Sequence, residues 1–142
     1  MCGLTGCWVK RTDAALYASV EVMSQTLNHR GPDAHAVWVD EPEGIGLGHT
    51  RLKVIDLSEN GAQPMHSACN RYVLVFNGEI YNHHIIRAEL ENHGLAPNWR
   101  GHSDTEILLA GFVAWGVIAT LQRTVGMFSL ALWDKKERRL TL

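Results

Sequence analysis

The residue best placed for chemistry is Cys2, which directly follows the initiator methionine. Removal of Met1 is normal before a small side chain, and it would leave the Cys2 thiol a few bonds from its own α-amine. A free α-amine has an ordinary pKa of about 7.7–8.0, so at neutral pH a useful fraction is neutral and can accept the thiol proton. Nucleophile and base would then share one residue, as is known for N-terminal threonine. Alone, this is a weak signal, because most cysteines are inert.

The other cysteines and the histidines do not suggest a metal or a disulfide. Three cysteines are an odd number without a CxxC pair, so they indicate neither a disulfide framework nor a zinc site. The eight histidines include the adjacent pair His83 and His84, but adjacent side chains point in different directions and no metal-binding spacing gathers them. We therefore predict no metal site and expect Cys7 and Cys69 to be inert.

Composition limits the class of protein. A chain of 142 residues has room for one domain with one substantial core. A net charge of -2 gives no reason to expect nucleic acid or an anionic membrane as partner. No apolar run approaches the roughly 20 residues of a membrane-spanning helix. The N-terminus lacks the basic region of a signal peptide, so we predict a cytoplasmic protein.

The elements that must position Cys2 are strands and helices in mixed order. Apolar runs predict strands at residues 3–9, 36–39, 45–49, 72–76 and 127–133, and turns at 41–44 and 134–137. Residues 56–71 are rich in Ser, Asn, Gly, Gln and Pro and are predicted to form a long loop, mobile without ligand.

Three helices are predicted from spacing and capping residues. The first has the apolar face Leu16, Val20, Met23 and Leu27, with Asp13 as its cap. The second begins after Asn82 and is stopped by Gly94, and the third follows a capping box at 103–106. Two sheets between helix layers satisfy this order, although periodicity alone fits a three-layer α/β fold equally well.

Short motifs follow one another in a single order along the whole chain. They are MCGLTG at 1–6, HRGPD at 29–33, HTRLKVIDLS at 49–58, QPM at 63–65, FNGEIYN at 76–82, SDTE at 103–106 and GMFSLALWD at 126–134. Together they resemble the class II glutamine amidotransferases, which are N-terminal-nucleophile hydrolases. The forms HRGPD, RLxxIDLS, QPM and FNGEIYN are similar to those of the glutamine-hydrolysing asparagine synthetase branch, whereas the forms of the hexosamine-phosphate and purine-pathway branches do not occur.

The resemblance implies an α+β fold, the four-layer αββα sandwich, over residues 1–142. It also implies that Cys2 attacks the side-chain amide of L-glutamine, while the Asn77 side chain and the Gly78 N–H stabilise the negative oxygen of the intermediate. Arg51 would hold the substrate carboxylate, and Asp104 with Glu79 its ammonium. The full set of implied glutamine-binding residues is Arg51, Leu52, Val54, Ile55, Asn77, Gly78, Glu79 and Asp104.

The resemblance further implies a longer protein. Since the chain stops at Leu142, partway into an expected return strand, we expect a fragment whose intact form carries a C-terminal ATP-dependent synthetase domain. ATP and Mg²⁺ would bind there, and no cofactor is expected in this domain. Because an incomplete strand leaves an unpaired edge, we predict that the chain either forms a homodimer or aggregates readily.

Alternatives remain open at this stage. The expected product is asparagine, but the same glutaminase could serve amidation of a sugar acid or another carboxylate. A non-catalytic glutamine-binding module is a second reading, which loss of Cys2, Asn77 or Arg51 would favour, yet all three are present. A hydrolase of another amide is a third, and the pairing of Arg51 with Asp104 argues instead for an α-amino-acid substrate.

Overall fold

The structure is a computed structural model that describes residues 2–9, 15–53 and 59–142. The predicted cap Asp13 and the predicted site residues Val54 and Ile55 lie outside these residues. The described strands are β1 Gly3–Trp8, β2 Ala34–Asp40, β3 Ile45–Arg51, β4 Met65–His66, β5 Tyr72–Ile80, β6 Gly126–Asp134 and β7 Arg139–Thr141. The described helices are α1 Leu16–Gln25, α2 His83–Asn92, α3 Asp104–Trp115 and α4 Val117–Leu121, with a 3₁₀ turn at Glu59–Gly61. No helix in the described ranges is long and apolar enough to cross a membrane.

The first sheet has the strand order β1-β3-β2, with antiparallel pairing throughout. The predicted strands at 36–39 and 45–49 and the turn between them form a hairpin, and both strands are longer than the apolar pattern indicated. Along the central strand β3, Ile45 and Leu47 face the second sheet, while Gly46 and Gly48 face α1. One strand therefore supports two different layers.

Helix α1 covers the outer face of this sheet, but its buried face differs from the predicted one. Leu16 and Val20 are buried as expected, whereas Met23 is 37% exposed and Ser24 is fully buried in its place. The reason is the close approach over Gly48, where an added Cβ would lie 2.0 Å from the Ser24 hydroxyl oxygen. Only a small side chain fits there, so the prediction for Met23 was wrong.

The second sheet has the order β4-β5-β6-β7, again antiparallel. The predicted strand at 72–76 continues through Asn77 and Gly78 to Ile80, in unbroken register with β6. The predicted strand at 127–133 is confirmed, but only part of this apolar run is buried: Leu130 to Trp133 are buried, whereas Met127 is 73% exposed. The outer end of β6 lies along a pocket instead of in a core.

Two separate cores produce the layering. One lies between the sheets and consists of Ile45, Leu47, Val73, Val75, Ala131 and Trp133. The other lies between β5–β6 and the helices α2 and α3, and it includes Leu74, Phe76, Ile86, Leu90, Leu108 and Phe112. The layers are thus α1, the first sheet, the second sheet and α2–α3. This is the predicted αββα sandwich, and the antiparallel strands rule out the three-layer α/β alternative.

Helices α2 and α3 begin where predicted, but not every predicted capping hydrogen bond is formed. Asn82 does precede α2, yet its side chain bonds the backbone of Arg123 and Val125 instead of capping the helix. At α3 the Ser103 hydroxyl accepts the N–H of Glu106 at 3.3 Å, as a capping box requires. The reciprocal bond is not formed, because the Glu106 carboxylate accepts the N–H groups of residues 100 and 101.

Two further segments bear on the predictions. Within the predicted loop 56–71, residues 56–58 lie outside the described residues, and the remainder differs from a plain loop because it contains the 3₁₀ turn and β4. The predicted turn at 134–137 is confirmed, and Asp134 organises it by accepting the N–H groups of Lys136 and Glu137. Arg71 binds both oxygens of this carboxylate, at 3.0 and 2.7 Å.

Candidate functional site

A pocket of about 470 Å³ opens beside the outer ends of β5 and β6. It brings together Cys2, Arg51, Leu52, Asn77, Gly78, Glu79 and Asp104, which are the predicted site residues within the described part of the chain. Sequence reasoning gave no role to several other residues on its wall, namely Gly61, Gln63, Tyr81, Thr105, Met127, Phe128 and Ser129. Gln63 lies in the QPM motif, so a signal was present there without a function attached to it.

Cys2 reaches the pocket because β1 pairs with β3. Gly3 lies opposite Thr50 in that ladder, which places Cys2 beside the end of β3. The half-buried Cys2 sulfur accepts the N–H of Leu52 at 3.3 Å and lies 3.7 Å from the Leu52 carbonyl oxygen. These two contacts with the Leu52 backbone hold the sulfur at the wall of the pocket.

The HRGPD segment at residues 29–33 holds Cys2 and the end of β3 in place. The Arg30 Nε donates to the Cys2 carbonyl oxygen at 3.1 Å, and the Asp33 carboxylate accepts the N–H of Lys53 at 2.9 Å. In addition, the N–H of Asp33 donates to the carbonyl oxygen of Arg51. The segment thus fixes both Cys2 and the chain that leaves β3, while none of its residues lines the pocket.

The Gly78 N–H lies at the edge of β5 that does not face β6. Side chains bind the N–H groups of Phe76 and Ile80 on this edge, Gln63 at 2.6 Å and Asp104 at 3.0 Å. The alternation of a strand puts the Gly78 N–H on the same edge, between these two and beside the pocket. Gly78 has φ +151°, and an added Cβ would lie 2.3 Å from the Met127 carbonyl oxygen, so only glycine fits here.

The side chains of Asn77 and Glu79 project from the face of β5 that is turned toward the first sheet. Val73 and Val75 point into the core between the sheets, so Asn77 and Glu79 point to that same side, where Cys2 begins the first sheet. The Asn77 amide and the Gly78 N–H are therefore two hydrogen-bond donors on one pocket wall. Such a pair can stabilise an oxyanion that forms on a substrate carbonyl attacked by Cys2.

Arg51 supplies a buried cation to the pocket. It ends β3 on the same face as Ile45, Leu47 and His49, and it is only 6% exposed. A guanidinium so placed offers paired donors to a carboxylate. Its charge also acts on neighbouring His49: burial, together with Arg51, lowers the pKa of His49 to about 4, against the raising effect of the bond to the Phe76 carbonyl.

Asp104 supplies the opposing anion. It is the first residue of α3 and is 6% exposed, with Ser103 acting as the cap. Its carboxylate accepts the N–H groups of Ile80 at 3.0 Å and Thr105 at 2.8 Å. Burial raises its pKa above the ordinary value, although these two bonds act in the other direction. A pocket with one buried cation and one buried anion matches the two charges of an α-amino acid.

Among the described residues, no group of three or more His, Cys, Asp or Glu side chains is placed to hold a metal ion. His83 and His84 contact each other edge to face, with ring centres 5.7 Å apart.

The fold and the pocket define the class: a four-layer sandwich with a cysteine at the head of its first strand is an N-terminal-nucleophile arrangement. The family described as "Glutamine amidotransferase domain" matches residues 1–142. The chain belongs to this family.

Curated relatives extend the likeness. The chain is 38% identical over 143 residues to asparagine synthetase [glutamine-hydrolyzing] 1 of Bacillus subtilis (strain 168), covering 99% of this chain and 22% of the relative. It is 35% identical over 138 residues to asparagine synthetase B [glutamine-hydrolyzing] of Escherichia coli (strain K12), covering 96% of this chain and 24% of the relative. The chain thus spans only about a fifth to a quarter of the length of these relatives.

A solved structure confirms the fold. The glutamine phosphoribosylpyrophosphate amidotransferase of B. subtilis, complexed with ADP and GMP, superposes with a TM-score of 0.70. The match covers 93% of this chain and 35% of that one, at 18% sequence identity. At this identity the likeness concerns the fold alone.

Proposed function

We propose that the chain hydrolyses L-glutamine to L-glutamate and ammonia through a thioester on Cys2. The observation that carries the proposal is the meeting, in one pocket, of a thiol, two oxyanion donors, a buried cation and a buried anion. Arg51 holds the substrate α-carboxylate and Asp104, with Glu79, the α-ammonium. Leu52 contributes to the wall beside Cys2, and Val54 and Ile55 remain predicted contacts.

The reaction needs Met1 to be removed, so that the Cys2 amine is free. The amine takes the thiol proton as sulfur attacks the amide carbon, and the carbonyl oxygen becomes an oxyanion held by Asn77 and Gly78. Collapse of the intermediate breaks the C–N bond, and the amine returns its proton to the leaving nitrogen, releasing ammonia. Water then attacks the thioester with the amine as base, which releases glutamate and restores the thiol.

The use of the ammonia is a second level of the proposal. We infer that the protein carries a C-terminal synthetase domain that binds ATP and Mg²⁺ and uses the ammonia to make asparagine through an aspartyl-adenylate. The names and lengths of the curated relatives support this inference. Amidation of a sugar acid or another carboxylate would use the same glutaminase chemistry, and it stands as the alternative acceptor. Formation of a homodimer stays a prediction, which light scattering on the purified chain would test.

A cytoplasmic location is also proposed. Neither Cys2 nor Cys69 is part of a disulfide, as is usual for proteins in a reducing compartment.

The proposal is tested by measuring glutamate and ammonia released from L-glutamine by four chains. Wild type, Cys7→Ala and Cys69→Ala should release equal amounts of both products, because neither cysteine lines the pocket. Cys2→Ala should release neither. A wild-type chain that binds glutamine without releasing product would establish the non-catalytic module instead.

A further inference from the structure

The short strand β4 stops where its partner β5 continues into the catalytic region. Met65 lies opposite Leu74 and His66 opposite Val73. Extended by two residues, this register puts Gln63 opposite Phe76, immediately before the Asn77–Gly78 pair. The backbone does not continue as a ladder to this point, because residues 63 and 64 form a bend and β4 begins only at Met65.

Here the Gln63 side chain makes the hydrogen bond that the backbone of a longer β4 would make. Its Oε1 accepts the Phe76 N–H at 2.6 Å, which is the bond that a strand backbone would otherwise make. On the same edge, the Phe76 carbonyl oxygen lies 3.1 Å from the Nε2 of His49, a buried side chain of the first sheet. Both backbone polar groups of the buried Phe76 are thus satisfied by side chains.

Gln63 also connects the two walls of the pocket. Its Nε2 donates to the Thr105 hydroxyl at 3.4 Å, and Thr105 is the neighbour of Asp104 at the start of α3. One amide group therefore joins the strand that presents the oxyanion donors to the helix end that presents the buried anion. The Phe76 and Asp104 contacts lie on either side of the Gly78 N–H along the same strand edge.

We propose that Gln63 is a positioning residue for the reaction, a role that rests on the proposed function. By holding the Phe76 N–H, it fixes the strand directly before Asn77 and Gly78, so that their donors stay aimed at the place where the oxyanion develops. Gln63 needs no bond to the substrate for this role. Its removal should therefore lower turnover and leave ground-state binding of glutamine nearly unchanged.

The kinetic test compares Gln63→Met, Gln63→Glu and Gln25→Met. Gln63→Met keeps the length but loses both bonds, and it should lower kcat by about ten- to a hundredfold with KM changed by less than about threefold. Gln63→Glu keeps an acceptor for Phe76 and should recover most of the lost kcat. Gln25→Met, on the exposed side of α1, is the matched control and should equal wild type.

A second readout does not depend on turnover. In a Cys2→Ala background, the Phe76 amide should exchange with solvent at least about tenfold faster after Gln63→Met than after Gln25→Met, because only the first change removes its acceptor. Thr105→Val removes the bond between Gln63 and Thr105, together with the 3.5 Å contact of the Thr105 hydroxyl with Asp104, but it keeps the Gln63–Phe76 bond and should leave Phe76 protected.

Three results would overturn the proposal: an unchanged kcat in Gln63→Met, an equal loss in Gln63→Glu, or a Phe76 amide that stays protected without Gln63. A wild-type chain that releases no ammonia would contradict the proposed function instead. Amide exchange would then still decide whether Gln63 holds the strand.

Discussion

The two halves of the β5–β6 ladder share one continuous register and yet serve opposite purposes. In the inner half, Val73 and Val75 lie beside Ala131 and Trp133, and all four are buried between the sheets. In the outer half, Asn77 to Glu79 lie beside Met127 to Ser129 and line the pocket. On the edge of β5 away from β6, the inner half pairs with the backbone of β4. On the same edge of the outer half, side chains accept the N–H groups of Phe76 and Ile80 instead.

This difference teaches how the site is built. Burial of apolar side chains stabilises the inner half and requires no particular polar contact. In the outer half, Asn77 to Glu79 place no side chain in either core. On the edge of β5 away from β6, the geometry there depends on single hydrogen bonds from Gln63, His49 and Asp104. Mutations in the two halves should therefore separate stability from turnover.

The effects on turnover and on stability should be separated most clearly by comparing Asn77→Ala with Val75→Ala. Loss of an oxyanion donor should raise the barrier to glutamine hydrolysis by about 3–4 kcal/mol, lowering kcat by two to three orders of magnitude, with a modest change in KM. Val75→Ala should instead lower the free energy of unfolding by about 2 kcal/mol, as expected for a cavity in a core. Kinetics on folded protein and urea denaturation measure the two effects. An Asn77→Ala variant with normal kcat would remove the oxyanion role.

A smaller effect, of about 3 kcal/mol at most, is expected from pH acting at the border of the two halves. His49 is buried, and its pKa is lowered to about 4 by burial and Arg51. Above pH 6.5, neither the folded nor the unfolded form is protonated at this residue. Between about 6.5 and 4 only the unfolded chain takes up the proton, so stability falls as pH falls, by up to about 3 kcal/mol.

The His49 contribution is measured as the difference between two denaturation curves. His49→Gln should lose its share of the pH dependence between pH 6.5 and 4, whereas the exposed His93→Gln should follow wild type. If wild type and His49→Gln lose stability in parallel over this range, then His49 is protonated in the folded protein.

The smallest of the three effects concerns substrate affinity. Arg51→Lys keeps the charge but loses the planar pair of donors, and it should weaken glutamine binding by about 2 kcal/mol, seen as an increase in KM of roughly thirtyfold. Because the α-carboxylate keeps its charge throughout the reaction, kcat should change little. Asp104→Asn should also raise KM. An unchanged KM in both variants would show that the zwitterion lies elsewhere in the pocket.

Sequence patterns predicted the inner half well and the outer half poorly, and the reason is physical. The apolar run 72–76 predicts a buried strand directly, since its periodicity reflects local packing. Asn77-Gly78 is by itself a common turn dipeptide, and only the motif order indicated a catalytic role. That these two residues continue a strand depends on pairing with β6, about 50 residues away in the chain.

Other differences also arise from long-range contacts. Ser24 replaces Met23 in the buried face of α1 because β3 has glycine beneath it. Asn82 bonds the segment at 123–125 instead of its own helix because that segment folds back beside it. Cys2, Arg51 and Asp104 come from three elements, and no local period could predict their meeting. The likeness of the motifs supplied that prediction.

The central claim, that Cys2 is the nucleophile and uses its own amine, is tested most directly by intact mass measurement. The purified chain is treated with a glutamine-mimicking diazo-ketone amino acid, before and after Cys2→Ala substitution. The expected result is a wild-type chain that lacks Met1 and carries one label, while the Cys2→Ala chain carries none. Labelling that persists in Cys2→Ala, or full labelling of a chain that retains Met1, would contradict the account.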